Sequence, residues 1–262
     1  MEKRKKDHII SGDKFYLLVD FDNFFEYRPD ADSFDWLQVE FDLLLKKILQ
    51  LYKDIDYFDI RLYGGWKENG KWTRLGSVIQ QAVASFNFFP IKDKIQNKII
   101  RGKIELVTRL IAVPFVEWDD TVTTRSGIPR LRLMNPGLPE GCISDNENCP
   151  IRLIYRFSRK RIRQCSVPGC PVNTKNAFKV VEQKMVDTML SCDVIHLSND
   201  EDVFGMMVIS DDFDLLPPMA MALQNMLRDS KPLVWMRTND NYGFDSVSNL
   251  QRLGLNIQIW ED

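Results

Sequence analysis

The sequence predicts an α/β fold with a mostly parallel sheet flanked by helices, and three observations lead there. Short apolar runs rich in β-branched and aromatic residues alternate with longer stretches whose apolar residues recur at helical spacing. The first run, FYLLVDF at 15–21, lacks polar alternation, as expected of a central parallel strand buried on both faces. Aspartates follow such runs at Asp20 and at Asp211, Asp212 and Asp214, where the carboxyl ends of parallel strands open into a crevice.

Taken in order, the strand at 15–21 leads to a helix in which Phe34, Leu37, Phe41, Leu44, Leu45, Ile48 and Leu51 share a face, with Asp32 or Ser33 as its cap. DYFDIRLY at 56–63 reads as a second strand, ended by Gly64 and Gly65. A helix is expected over 75–88, and a long strand over 104–118 interrupted at Pro114. The alternation then breaks. Residues 119–172 are rich in Pro, Gly, Arg and Cys, with one strand-like run, RLIYRF, and read as an insertion. A helix resumes over 173–192 with Phe178, Val181, Met185, Thr188 and Met189 as its apolar stripe. A strand at 206–210, a helix at 215–227, a strand at 232–236, a helix at 245–253 capped by Gly254, and an edge strand at 256–260 complete the pattern. The domain reading is a tail at 1–13 and one domain at 14–262, interrupted by the insertion.

Composition sets limits. Hydrophobic residues at 44% and charged residues at 27% are ordinary for a globular chain. No apolar run approaches the ~18 residues of a membrane span, and MEKRKKDHIISGDK has no h-region after its basic cluster. A cytoplasmic protein without a membrane partner is the expectation. The net charge of −2 hides an asymmetry: between Cys149 and Val181 there are eight basic residues and no acidic one. Such a segment suits a polyanion, although a solvated charged face has the same composition.

The acidic residues carry the chemistry. Asp20, Asp187, Asp212 and Asp214 lie on three separated stretches that a parallel α/β sheet would bring together. Carboxylates gathered in one crevice repel one another unless a cation neutralises them, and an oxygen-only set suits Mg²⁺ or Mn²⁺. Metal-assisted hydrolysis of a phosphodiester is the reaction such a set supports. Each residue also has a structural reading: Asp20 and Asp22 would cap a helix or close a βα loop, Asp212 would cap the following helix, and Asp187 would face solvent. The two histidines, His8 and His196, give no pair for metal-free acid–base cleavage.

Three motifs extend this reading. Asp20-Phe21-Asp22-Asn23 follows the first strand, Lys184-Met185-Val186-Asp187 comes later with Asp193 beyond it, and Ser210-Asp211-Asp212-Phe213-Asp214-Leu215 follows an apolar run. Their order resembles the NYN branch of the PIN-like nucleases, whose motifs are D-G-x-N, K-G-V-D and S-G-D-x-D-F. The resemblance spans nearly the whole chain outside the insertion. It implies a three-layer α/β/α fold and a metal-dependent nuclease, mainly an endoribonuclease. It implies a catalytic set of Asp20, Asn23, Asp187, Asp212 and Asp214, with Asn23 fixing a water or a carboxylate. On a shared helical face, Lys184 would touch a phosphate or offset the acidic charge. Phe21, Met185 and Asp211 replace the family's glycines and so bear on loop geometry.

Four of the five cysteines, Cys142, Cys149, Cys165 and Cys170, fall in the insertion, and Cys192 reads as a core residue. Clustered thiols in a reducing compartment suggest a structural Zn²⁺, with unliganded thiols and disulfides as alternatives. Between the cysteine pairs stand Arg152, Arg156, Arg159, Lys160, Arg161 and Arg163, interleaved with Tyr155 and Phe157. Arginines holding phosphates beside aromatics that stack bases would make an RNA grip, and a small local core would use the same aromatics. The leading expectation is a metal-dependent endoribonuclease. A DNA or flap nuclease, a noncatalytic RNA-binding regulator and a phosphatase- or receiver-like protein are the rivals. No D-x-D-x-[TV] run supports the phosphatase of the haloacid dehalogenase type.

Overall fold

A computed structural model of the chain describes residues 14–25, 35–52, 55–87, 89–93, 98–127, 151, 154, 162–228, 230–238 and 245–260. The chain divides into two compact units, Met1–Thr121 with Gln183–Asp262, and Val122–Glu182.

The first unit is a mixed α/β fold built on a seven-stranded sheet. Its strands are β1 (Lys14–Asp20), β2 (Tyr57–Tyr63), β5 (Ile91–Asp93), β6 (Lys98–Leu106), β9 (Val203–Ile209), β10 (Leu233–Arg237) and β11 (Asn256–Ile259). A two-residue hairpin, β3 (Lys67–Glu68) with β4 (Lys71–Trp72), follows β2. The sheet order is β11-β10-β9-β1-β2-β6-β5, parallel except for β5, which is antiparallel at one edge. Counted along the chain, the parallel strands lie in the doubly wound order 3-2-1-4-5-6, which reverses between β1 and β9.

Period-two alternation in these strands sends side chains to two opposite cores. Phe15, Leu17 and Val19, with Phe21 of the short α1 (Phe21–Phe24), face the side covered by α2 (Asp35–Leu51) and α3 (Arg74–Ser85). From α2, Leu37, Phe41, Leu44, Leu45 and Ile48 are fully buried there, at the spacing one helical face requires. Tyr16 and Leu18 face the other side, covered by α4 (Val186–Ser198), α5 (Leu216–Arg228) and α6 (Asp245–Arg252). This is compatible with a three-layer α/β/α arrangement. Thr73 starts α3, its Oγ1 accepting from Gly76 N at 3.0 Å. Gly254 ends α6 with φ +104°, a conformation that only glycine adopts without strain.

Several sequence expectations are corrected. The strand expected at 104–118 lies earlier, at Lys98–Leu106, and the apolar residues after it form successive turns. Leu110, Ile111 and Trp118 pack down on the α4-side core instead of alternating, and Pro114 has no N–H for a ladder. The helix expected at 173–192 is two elements, β8 (Lys179–Gln183) and α4. Met185, left-handed at φ +65°, sets the start of α4, so Phe178, Val181 and Thr188 are exposed and the buried stripe begins at Val186. Cys192 lies off that stripe and is exposed, not a core residue. The helix expected at 75–88 ends at Ser85.

In the second unit, β7 (Val122–Ser126) pairs with β8. Cys165 N donates to Val172 O at 2.9 Å, and Cys170 N to Val167 O at 3.1 Å in a turn with Gly169 at φ +77°. Cys165 and Cys170 are free thiols. Cys142, Cys149, Arg152, Tyr155, Arg156, Phe157, Arg159, Lys160 and Arg161 lie outside the described residues; Arg163 is half-buried. Among the described residues, no helix is long and apolar enough to cross a membrane.

Candidate active site at the sheet reversal

Where the strand order reverses, neighbouring connections leave in opposite directions and open a crevice at the carboxyl ends. Asp20 ends β1 there, and Ser210 follows β9. Asp20 is 1% exposed. Its Oδ2 accepts from Asn23 Nδ2 at 2.6 Å and from Ser210 Oγ at 2.8 Å. Its Oδ1 is buried without a hydrogen-bond partner among the described residues. Burial pushes the Asp20 carboxyl above its usual range, and the Asn23 and Ser210 hydrogen bonds oppose that rise.

Ser210 is the residue that sequence reasoning missed. It joins two of the carboxylate stretches: its Oγ donates to Asp20 and accepts from Asp212 N at 3.0 Å. The signal for it was its place between an apolar strand and three aspartates. Asp212 caps a short 3₁₀ turn, Phe213–Leu215, its Oδ1 accepting from Asp214 N at 2.8 Å. The capping reading of Asp212 is therefore realised, with one oxygen engaged.

Asp187 stands in the first turn of α4. Desolvation pushes its carboxyl up, and the negative charges of Asp20, Asp212 and Asp214 push it further. Asp187 therefore feels the charge of the other three carboxylates. Lys184 is not on the helix with Asp187, because α4 begins at Val186; its backbone N donates to Thr121 O at 2.9 Å. The shared-face argument for Lys184 is overturned by that helix start.

Comparison of the chain with protein-family models, curated proteins and solved structures gave no match.

Two further acidic residues of the motifs have structural partners. Asp211 accepts from Thr238 N at 2.9 Å and from Thr238 Oγ1, and pairs with Arg237 Nε at 3.5 Å, tying β9 to β10. The Arg237 guanidinium stacks on Phe213 and Trp235. Asp193 is fully buried, accepting from Tyr63 Oη at 2.7 Å and Ile111 N at 2.9 Å, with Arg61 Nη2 at 3.2 Å. Of the three residues replacing motif glycines, only Met185 has positive φ. Phe21 is instead a core anchor, packed edge-on against Trp66 at 5.2 Å between ring centroids.

Among the described residues, no three His, Cys, Asp or Glu side chains are already drawn to one point that could hold a metal. The donor chemistry nevertheless fits a hard divalent cation: Oδ1 of buried Asp20 has no partner among the described residues, and the Asp187 carboxyl is raised by burial and by the like charges of Asp20, Asp212 and Asp214.

Proposed function

We propose that this chain is a metal-dependent nuclease with a PIN-like NYN fold that cuts RNA endonucleolytically. The single observation that carries the reading is the buried Asp20 carboxylate at the sheet reversal, with one oxygen fixed by Asn23 and Ser210 and the other unpartnered among the described residues. Burying a charged oxygen without a partner is costly, and active sites retain such groups for use. Asp20, Asp187, Asp212 and Asp214 would hold Mg²⁺ or Mn²⁺. When bound, the ion supplies Lewis acidity and a lowered pKa for attacking water.

The residues of the chain do the positioning. Asn23 and Ser210 both donate to Asp20 Oδ2, which restrains the carboxylate plane and keeps Oδ1 for the cation. Ser210 also fixes Asp212 through its backbone, so one hydroxyl sets two of the four carboxylates. The N-terminal end of α4 favours negative charge at Asp187, partly offsetting its like-charged neighbours. Hydrolysis would form a P–O bond from water, break the bond to the leaving oxygen, and pass a proton from that water to the leaving oxygen.

RNA is preferred to DNA because the resembled family acts mainly on RNA and the arginine-rich insertion suits a phosphate backbone. Lys184 remains a proposed phosphate contact from its place before α4. Cys142, Cys149, Cys165 and Cys170 are proposed as a structural Zn²⁺ site, and the free thiols of Cys165 and Cys170 suit a cytoplasmic location.

The test is cleavage of end-labelled single-stranded RNA, hairpin RNA and matched DNA with Mg²⁺ or Mn²⁺, comparing the protein with Asp187→Asn. The variant is expected to lose activity about a hundredfold or more while staying folded. Cutting that survives Asp187→Asn refutes the site. Preference for DNA moves the reading to a DNA or flap nuclease, and RNA binding without cleavage moves it to a regulator.

A further inference from the structure

On the α4 side of the sheet, one patch is charged where its neighbours are apolar. Strand register places Tyr16, Asp59 and Lys103 in one row across β1, β2 and β6, and Leu18, Arg61 and Glu105 in the next. On β9 and β10 the same face carries Met206, Val208, Leu233 and Trp235. Charged groups are costly in a sealed core unless they are paired. Over this patch the chain runs as the irregular segment after β6 instead of a helix, leaving a cleft of about 390 Å³. Its lining includes Tyr16, Asp59, Arg61, Lys103 and Glu105, and its size lies within the range of small-molecule sites.

Most of the polar groups there are mutually engaged. Arg61 donates to Tyr63 Oη, Glu105 and Arg109 O and pairs with Asp193. Lys103 Nζ lies 3.2 Å from Asp59 Oδ2 and 2.9 Å from Glu105 Oε2. One atom is left over. Asp59 is 7% exposed, and its Oδ1 is buried with no hydrogen-bond partner among the described residues. Tyr16, in the same row, is pushed above the ordinary phenol range by burial and by the Asp59 charge, so its hydroxyl stays neutral. The cleft is therefore lined by a carboxylate with one oxygen left unpartnered among the described residues, a hydroxyl and a half-exposed ammonium.

We propose that this cleft binds an amino-bearing nucleobase, with Asp59 Oδ1 accepting from the exocyclic amine. The choice of a nucleotide rests on the nuclease reading; the demand for an amine donor rests on Asp59 alone. A carboxylate accepting from cytosine N4 is a recurrent pairing in base recognition. Uracil presents a carbonyl oxygen at that position, which would set two acceptors against each other. Lys103 can donate to the acceptor next to the amine on the ring. Tyr16 is four residues before Asp20 on β1, roughly 13 Å along the strand, so one oligonucleotide can reach both places.

The experiment is calorimetric titration of the full chain, without added divalent cation, with CMP against UMP and AMP against IMP. Each pair exchanges an amino group for a carbonyl at the position read. The amino-bearing nucleotide is expected to bind about tenfold more tightly, and Asp59→Asn, which places a donor beside the base, to erase or invert the preference. Equal binding within each pair, or no binding of any nucleotide at millimolar concentration, overturns the proposal. The wild-type comparison decides the matter even if Asp59→Asn does not fold. Competition by oligo(C) assigns the cleft to a base within RNA, and absence of competition assigns it to a free nucleotide; either keeps the base-reading role. No bond is cut in this assay, so its failure leaves the nuclease reading untouched, and failure of Asp187→Asn to stop cleavage leaves the cleft's base preference to stand by itself.

Discussion

Replacing Arg61 with methionine strips the guanidinium from Asp193 while keeping much of the buried stem. Asp193 is 0% exposed and would be left with two neutral donors, Tyr63 Oη and Ile111 N. Breaking a buried ion pair from one side costs about 3–5 kcal/mol, and the two remaining donors favour the lower end, about 3 kcal/mol. For a chain of this size that is a fall of about 6–12 °C in Tm. Urea denaturation monitored by circular dichroism reads the change as a lower midpoint at unchanged slope. The pH dependence follows from proton counting. Burial already holds the Asp193 carboxyl above its usual range, and Arg61 opposes that rise. Without Arg61 the native state binds the proton more tightly than the unfolded chain, so stability is lost as pH rises from the ordinary carboxylate range through the raised pKa. The deficit of Arg61→Met is therefore expected to be larger at pH 8 than at pH 5. In Arg61→Met/Asp193→Leu the orphan charge is gone, and the double variant should be more stable than the single one. A loss below about 1 kcal/mol for Arg61→Met, or a double variant no better than the single, would refute the ion-pair reasoning.

Other predictions concern the candidate site and the insertion. Asp187→Asn should stabilise the cation-free protein by less than about 1 kcal/mol, because solvent screens a surface charge. Since the Asp187 carboxyl is held above its ordinary value, that gain should be absent at about pH 3 and grow as pH rises through the carboxylate range; thermal melts at about pH 3 and about pH 7 check it. Met185→Gly removes a left-handed penalty of about 1–2 kcal/mol at a residue 38% exposed and adds about 0.5–1 kcal/mol of unfolded-state entropy. A net gain of about 0.5 kcal/mol in urea melts is expected, and a loss would place the Met185 side chain in a packing role. Elemental analysis should find about one zinc per chain, with Cys165→Ser or Cys170→Ser lowering it; metal-free protein with unchanged stability removes the zinc reading.

The residue pattern was enough to call a mostly parallel α/β sheet and three of its features: the buried central strand at β1, the position of Asp20 at its end, and Gly254 as a helix stop. These are local properties, set by apolar periodicity and by backbone conformations that one residue type favours. It misjudged 104–118 and 173–192, where apolar residues are dense but no period distinguishes a packed loop or a short strand from a long element. The partners of the remaining motif aspartates came only from the fold. Asp193 and Asp211 are as acidic in the sequence as Asp20, yet one neutralises Arg61 and the other ties β9 to β10. Tertiary structure also made Ser210 the link between Asp20 and Asp212. The physical reason is that a carboxylate's role depends on its partners and its burial. Those partners lie up to 190 residues away along the chain and become neighbours only when β1 and β9 pair.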